Sequence, residues 1–235
     1  MAGAAVLTDS RLLVLDGANV KWGAPALGTG ATVTYALVTT TVAFPDARNC
    51  RSLVPPQELL SASHIDPGRL QGEVSAAFDA WSAVTDITFR ETDPASADIL
   101  IGAEGDPFGV AFTNVSHGPI PAEGPAPISR SVICLNPQAN WKVGFDGNLK
   151  VYDLRYALEH EIGHAIGLDH PGVPGVLMDF RYTESFRVPQ PGDIAAADLL
   201  YGSRGGVAVV AAVALTAPVQ PVAARPDPLL GHPVP

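Results

Sequence analysis

The chemistry of this chain is concentrated in one stretch, HEIGHAIGLDH, which runs from His160 to His170 and holds three of the six histidines. On a helix, His160 and His164 stand one turn apart and project from the same face, as two ligands of one metal must. Glu161 points to the side, within reach of a water on that metal without taking a coordination position. Gly167 can adopt the left-handed conformation that ends a helix and turns the chain sharply. That turn brings His170 back as a third nitrogen ligand. Three imidazoles with a fourth, water-filled position describe catalytic zinc; structural zinc closes its fourth position with protein. The expectation is one catalytic Zn2+ held by His160, His164 and His170, with Glu161 as the general base beside it. The bland alternative is a core helix that happens to carry histidines, and it gives no reason for a Gly and a third His in this register.

The elements that must position this stretch are partly visible. ATVTYALV (Ala31 to Val38) is rich in β-branched residues and reads as a strand. AFPDARNCRSLVPP reads as a long loop, and a helix is expected from about 67 to 84. In that helix Val74, Phe78, Trp81 and Val84 recur at spacings of four, three and three, giving one apolar face with Trp81 as core packing. DITFRET and ADILIG (Ala97 to Gly102) read as two further strands. The region from Glu104 to Trp141 reads as a loop around one strand, GVAFTNV (Gly109 to Val115). Residues 203–235 are rich in Ala, Val and Pro with hardly any charge, and are expected to be a disordered tail. Their apolar run, Val207 to Leu215, is too short to span a bilayer, so no transmembrane segment is expected. His64 and His232 have no metal-ligand spacing.

Composition excludes more than it identifies. A chain of 235 residues, 47% hydrophobic, can bury one sizeable core. A net charge of −10 repels phosphate backbones, so nucleic acid is not an expected partner. No secretory signal is visible in MAGAAVLTDS, which lacks a positive n-region and a full apolar core. Cys50 and Cys134 leave two readings open, a disulfide in an oxidising compartment or two buried thiols.

The segment from His160 to His170 resembles the active-site helix of the metzincin metalloendopeptidases. GVLMDF (Gly175 to Phe180) resembles their Met-turn, with Met178 beneath the metal and eight residues after His170, as in the matrixin branch. GDIAAADLLYG (Gly192 to Gly202) resembles the closing helix, and ADILIG the A-D-I-x-I strand of matrixins. Pro171, KWGAPALGTGATVTYAL and PGDIAAADLLYG are serralysin-like features. Phe180 stands where serralysins place their switch tyrosine, and glycine-rich calcium repeats are missing. The resemblance covers about residues 20 to 202.

This resemblance implies an α+β fold of the metzincin/zincin type: a twisted mixed sheet of about five strands, an active-site helix, a second long helix and a C-terminal helix. It implies a domain order of N-terminal extension (1–22), catalytic domain (23–202) and tail (203–235). The implied activity is hydrolysis of internal peptide bonds by a zinc-activated water, with a peptide or protein as partner and a monomeric state. GVAFTNV resembles the sheet edge bordering the metzincin cleft, so Val110 and Ala111 are expected to bind the substrate backbone as an added strand. Tyr182 corresponds to the wall of the pocket for the residue after the scissile bond. Tyr156, four residues before His160, corresponds to the position that sets pocket depth, implying a shallow to medium pocket for Leu, Met or small apolar side chains. The structural zinc of matrixins is not expected, because Cys134 and Asn136 stand where ligands would, leaving His117 as a solvent-exposed loop residue. Calcium (Ca2+) is left open, at Asp106 or at DGNL (Asp146 to Leu149). The family usually works outside the cell, so a secreted, extracellular location is implied, with a cytoplasmic one as the alternative. The competing functional reading is a catalytically silent metzincin-fold module that binds peptides or proteins; the presence of Glu161 with every ligand argues against it.

Overall fold

The computed structural model describes residues 9–205 apart from residue 48, so most of the expected tail, from residue 206, lies outside the described residues. The chain begins with three short strands, β1 (Arg11–Leu12), β2 (Val14–Leu15) and β3 (Ala18–Lys21). Then come β4 (Ala31–Leu37), β5 (Val42–Ala43), β6 (Ser52–Val54) and two helices, α1 (Gln57–Ser63) and α2 (Pro67–Val84). Strands β7 (Ile87–Glu91), β8 (Ile99–Glu104), β9 (Ala111–His117) and β10 (Ala126–Leu135) follow. The remainder is β11 (Trp141–Lys142), β12 (Tyr152–Asp153), α3 (Leu154–Ala165), β13 (Leu168–Asp169) and α4 (Pro191–Tyr201).

The main sheet runs β7-β4-β8-β10-β9, parallel except for β9, which pairs antiparallel with β10. The mixed character is as expected, but the sheet is larger than about five strands: β3 pairs parallel with β10 and carries β2, and β6 pairs antiparallel with β8 and carries β5, giving nine strands among the described residues. Its first parallel step, β4 to β7, needs a long crossover, and α1 and α2 supply it. Helix α2 starts where Asp66 accepts hydrogen bonds from Gly68 N (2.8 Å) and Arg69 N (3.3 Å), with Pro67 at the first helical position. Its buried face carries Leu70, Val74, Ala77, Phe78 and Trp81, the stripe the periodicity requires. Trp81 is fully buried, and its indole N–H donates to Glu159 O of α3 at 2.8 Å. Glu73, buried on the same helix, holds Arg155 (2.6 Å) of α3 and Arg187 (3.1 Å). The two long helices are therefore joined by a charge network as well as by packing.

The region from Glu104 to Trp141 departs from its reading as a loop around one strand. APISRSVICL forms β10, the longest strand and the one between β8 and β9. Being buried at its end on both faces, it reads as a continuous apolar run and lacks a two-residue alternation. The loop expected after β4 holds β6 and the end of β5, and is followed by α1, which the sequence reading did not place. It covers a second, smaller apolar cluster that includes Val38, Leu53, Leu100 and Val132. Here Cys50 and Cys134 form a disulfide that fastens this cover to β10. His117 is not a loop residue: it ends β9, its ring is largely shielded, and Nε2 lies 3.3 Å from Asp16.

Candidate metal centre

Asp153 starts the central helix α3 by accepting from Tyr156 N at 2.9 Å, and Arg187 grips the same carboxylate through Nε (2.8 Å) and Nη2 (3.0 Å). At the other end the helix carbonyls need partners. Ala165 O receives the Trp22 indole (2.8 Å) and the Ser131 hydroxyl (3.1 Å), and Ile166 O receives the Tyr201 hydroxyl (2.7 Å). Residues from the N-terminal segment, β10 and α4 thus hold the last turn of the helix that carries His160 and His164. Gly167 follows at φ +100°, and a Cβ there would stand 2.2 Å from Val20 O. Only glycine fits both the backbone angle and the approach.

That turn brings the three histidines together. The Nε2 atoms of His160, His164 and His170 are 2.9, 3.1 and 3.1 Å apart. His160 Nδ1 faces Leu177 O at 2.7 Å, and His164 Nδ1 faces Leu168 O at 2.9 Å. A carbonyl only accepts, so both Nδ1 atoms carry protons and both Nε2 atoms present lone pairs to the centre. Converging lone pairs at this distance repel one another unless a cation lies between them. Tetrahedral zinc at about 2.1 Å from each nitrogen sets N···N near about 3.4 Å, so small shifts would seat it. Among the described residues this is the one group of three or more His, Cys, Asp or Glu side chains within ligand reach of one another. In the DGNL segment, Asp146 pairs with Lys142 and accepts from Asn148 N at 2.9 Å, while Glu184 accepts from Asp146 N at 3.0 Å.

The turn at residues 175–180 is held from α4. Asp193, buried at the third position of that helix, accepts from Leu177 N (2.7 Å), Met178 N (3.0 Å) and Gln190 N (2.7 Å). Burial pushes its pKa up, and these three backbone N–H groups oppose that shift. The sequence reading passed over Asp193; its signal is an acidic residue three places into a helix opened by Gln-Pro-Gly. Met178 is buried, with its sulfur packed on Gly163 of α3.

The residues assigned to substrate lie on two sides. Val110 is buried just ahead of β9 with its carbonyl accepting from Asn136 N at 2.8 Å, and Ala111 pairs with Leu135 of β10. The opposite edge of β9 pairs with no described strand. A cavity of about 510 Å3 lies between β9, β10 and the segment after β5, lined by Phe44, Asn49, Asn114, Arg130 and Val132 among others; neither the three histidines nor Glu161, Tyr156 or Tyr182 lines it. Tyr156 is fully buried, edge-on to Tyr182 with ring centroids 5.1 Å apart, and near Phe186 at 6.2 Å. The Tyr182 hydroxyl accepts from Asp153 N (3.0 Å) and donates to Glu184 (2.9 Å), which fixes that ring against α3. Thr113, which the sequence reading did not single out, donates to Glu161 Oε2 at 2.7 Å.

The chain is 29% identical to mouse (Mus musculus) matrix metalloproteinase-19 over 145 residues, 58% of this chain and 26% of that protein. It is 29% identical to mouse matrilysin over 143 residues, 56% of this chain and 50% of that protein. The chain thus spans half or less of the length of these curated relatives. Residues 59–202, more than half of the chain, match the matrixin (Peptidase_M10) family model, and the chain belongs to the matrixin family.

Proposed function

We propose that this protein is a zinc-dependent endopeptidase whose catalytic base is Glu161. The observation that carries this reading is the convergence of three imidazole Nε2 atoms within 3.1 Å of one another, on a helix whose next side chain after His160 is a buried glutamate. A zinc ion held there would acidify the attacking water and polarise the scissile carbonyl. Glu161 takes the proton of that water as its oxygen attacks the carbonyl carbon. The same carboxyl group then delivers the proton to the leaving nitrogen as the C–N bond breaks.

The unpaired edge of β9 supports docking of an extended peptide by main-chain hydrogen bonds, with Val110 and Ala111 at the start of that edge. Tyr156 and Tyr182 form the floor and wall of the pocket after the scissile bond. The complete burial of Tyr156 under other rings supports a shallow to medium pocket selecting Leu, Met or small apolar residues. The Cys50–Cys134 disulfide supports work in an oxidising, extracellular compartment. Among the described residues no helix is long and apolar enough to cross a membrane.

The test is cleavage of a mixed quenched-peptide library by the purified protein, beside Glu161→Ala and a chelator-treated sample. Removing a general base should cost on the order of a hundredfold or more. Loss in both controls, with cleavage before Leu or Met in the untreated protein, is expected. A zinc-loaded wild-type protein without cleavage would move the reading to a peptide-binding module.

A further inference from the structure

We propose that Thr113 is a positioning residue for the catalytic base: its hydroxyl sets the orientation of the Glu161 carboxylate. The inference rests on the peptidase reading above. Thr113 sits within β9, 1% exposed, and its Oγ1 lies 2.7 Å from Glu161 Oε2 and 3.0 Å from Glu161 O. A hydroxyl has one proton to give, and two acceptors compete for it. The 2.7 Å contact to the carboxylate oxygen is the shorter of the two. The bond therefore runs from strand to side chain, and the contact to the helix carbonyl is secondary.

The geometry of the donor suits this work. Threonine is β-branched, so its χ1 is stiff. Its backbone is locked in the ladder opposite Ile133 of β10. Glutamate, by contrast, has three rotatable bonds and a terminal torsion with a broad, two-fold profile. A fixed donor on one carboxylate oxygen selects one rotation of that group and so sets the direction of both oxygens. General base catalysis needs such alignment, because proton transfer falls steeply with misplacement of the carboxylate. A residue of β9 thus holds the proposed base from the strand, while α3 carries it on the helix.

A purely structural role would leave a different record. A threonine needed only to satisfy its own hydroxyl would require the Glu161 carbonyl and nothing more. Thr113→Val keeps shape, branching and burial while removing the donor; Thr113→Ser keeps the donor. Both variants would be compared with the wild type by steady-state kinetics, zinc content, thermal melting and crystal structure, all on the zinc-loaded protein. Thr113→Val is expected to lower kcat roughly ten- to a hundredfold with KM and zinc content unchanged. Its Glu161 carboxylate is expected to be rotated or spread over two orientations, and Thr113→Ser is expected to restore most of kcat. An unmoved carboxylate in Thr113→Val overturns the proposal whatever the kinetics, as does wild-type kcat in that variant. A wild-type protein silent on peptides would sink the peptidase reading, and the carboxylate orientation alone would then decide the role of Thr113.

Discussion

Met178 lies against the backbone of Gly163 so closely that a Cβ on residue 163 would stand 2.3 Å from its Sδ and 3.1 Å from the Trp81 ring. Gly163 is inside α3, where alanine would ordinarily stabilise the helix by roughly 0.5–1 kcal/mol. Overpacking costs typically about 1–3 kcal/mol, so the clash outweighs the helical gain. Gly163→Ala should therefore lower Tm by several degrees, at roughly 2–4 °C per kcal/mol for a domain of this size. It should also weaken zinc retention, because Leu177 O in the same turn orients His160. A melt in which Gly163→Ala equals or exceeds the wild type would show that the turn carrying Met178 gives way freely.

The histidine cluster predicts a metal-linked stability. A ligand that binds only the folded state adds about 2.7 kcal/mol at a hundred times its dissociation constant. Zinc added to chelator-treated protein should raise Tm by roughly 5–10 °C. In His164→Ala two of the three nitrogens remain, and the rise should shrink to a small fraction of that. An equal rise in both proteins would place the bound metal somewhere other than this cluster.

Much of this site was legible because its residues are close in sequence. The spacing from His160 to His170 needs only a helix and one glycine turn to assemble three ligands, and the periodicity of Val74, Phe78 and Trp81 is similarly local. Longer-range facts left no local trace. Gly167 is required by its positive φ, which the motif announced, and also by the approach of Val20 O, which lies in a segment more than a hundred residues earlier. Thr113 and Asp193 each act on α3 or its following turn from a distant element. Strand β10 left no two-residue alternation to read because its end is buried on both faces, and its place between β8 and β9 is settled by its pairing partners.

The Cys50–Cys134 bridge spans a sequence separation of 84 and fastens the cover of the smaller apolar cluster to β10. Crosslinks of native domains typically add about 2–4 kcal/mol, mainly by restricting the unfolded chain. The Cys50→Ala, Cys134→Ala double variant should therefore melt roughly 4–16 °C lower than the oxidised wild type. The histidine cluster lies on the other face of the sheet, so zinc content at 25 °C should be unchanged in the fraction that remains folded. Identical melting of oxidised wild type, reduced wild type and the double variant would show that the bridge contributes nothing to stability.

Glu104 gives the stability a dependence on pH. The side chain is buried at the end of β8 and accepts Phe108 N at 2.8 Å. Burial raises its pKa from 4.5 to about 7, the Phe108 N–H opposes that rise, and nearby Asp106 adds to it. The folded protein therefore holds this proton more tightly than the unfolded chain. Stability from this group is fully present below 4.5 and is lost as pH rises through about 7. Glu104→Gln keeps an acceptor for Phe108 N and has no charge to bury. Thermal melts from pH 5 to pH 8.5 should show the two proteins close together at the acid end, with the glutamine variant increasingly the more stable towards the alkaline end. A constant gap across that range, or one that closes as pH rises, would mean that Glu104 is ionised in the folded protein well below neutrality.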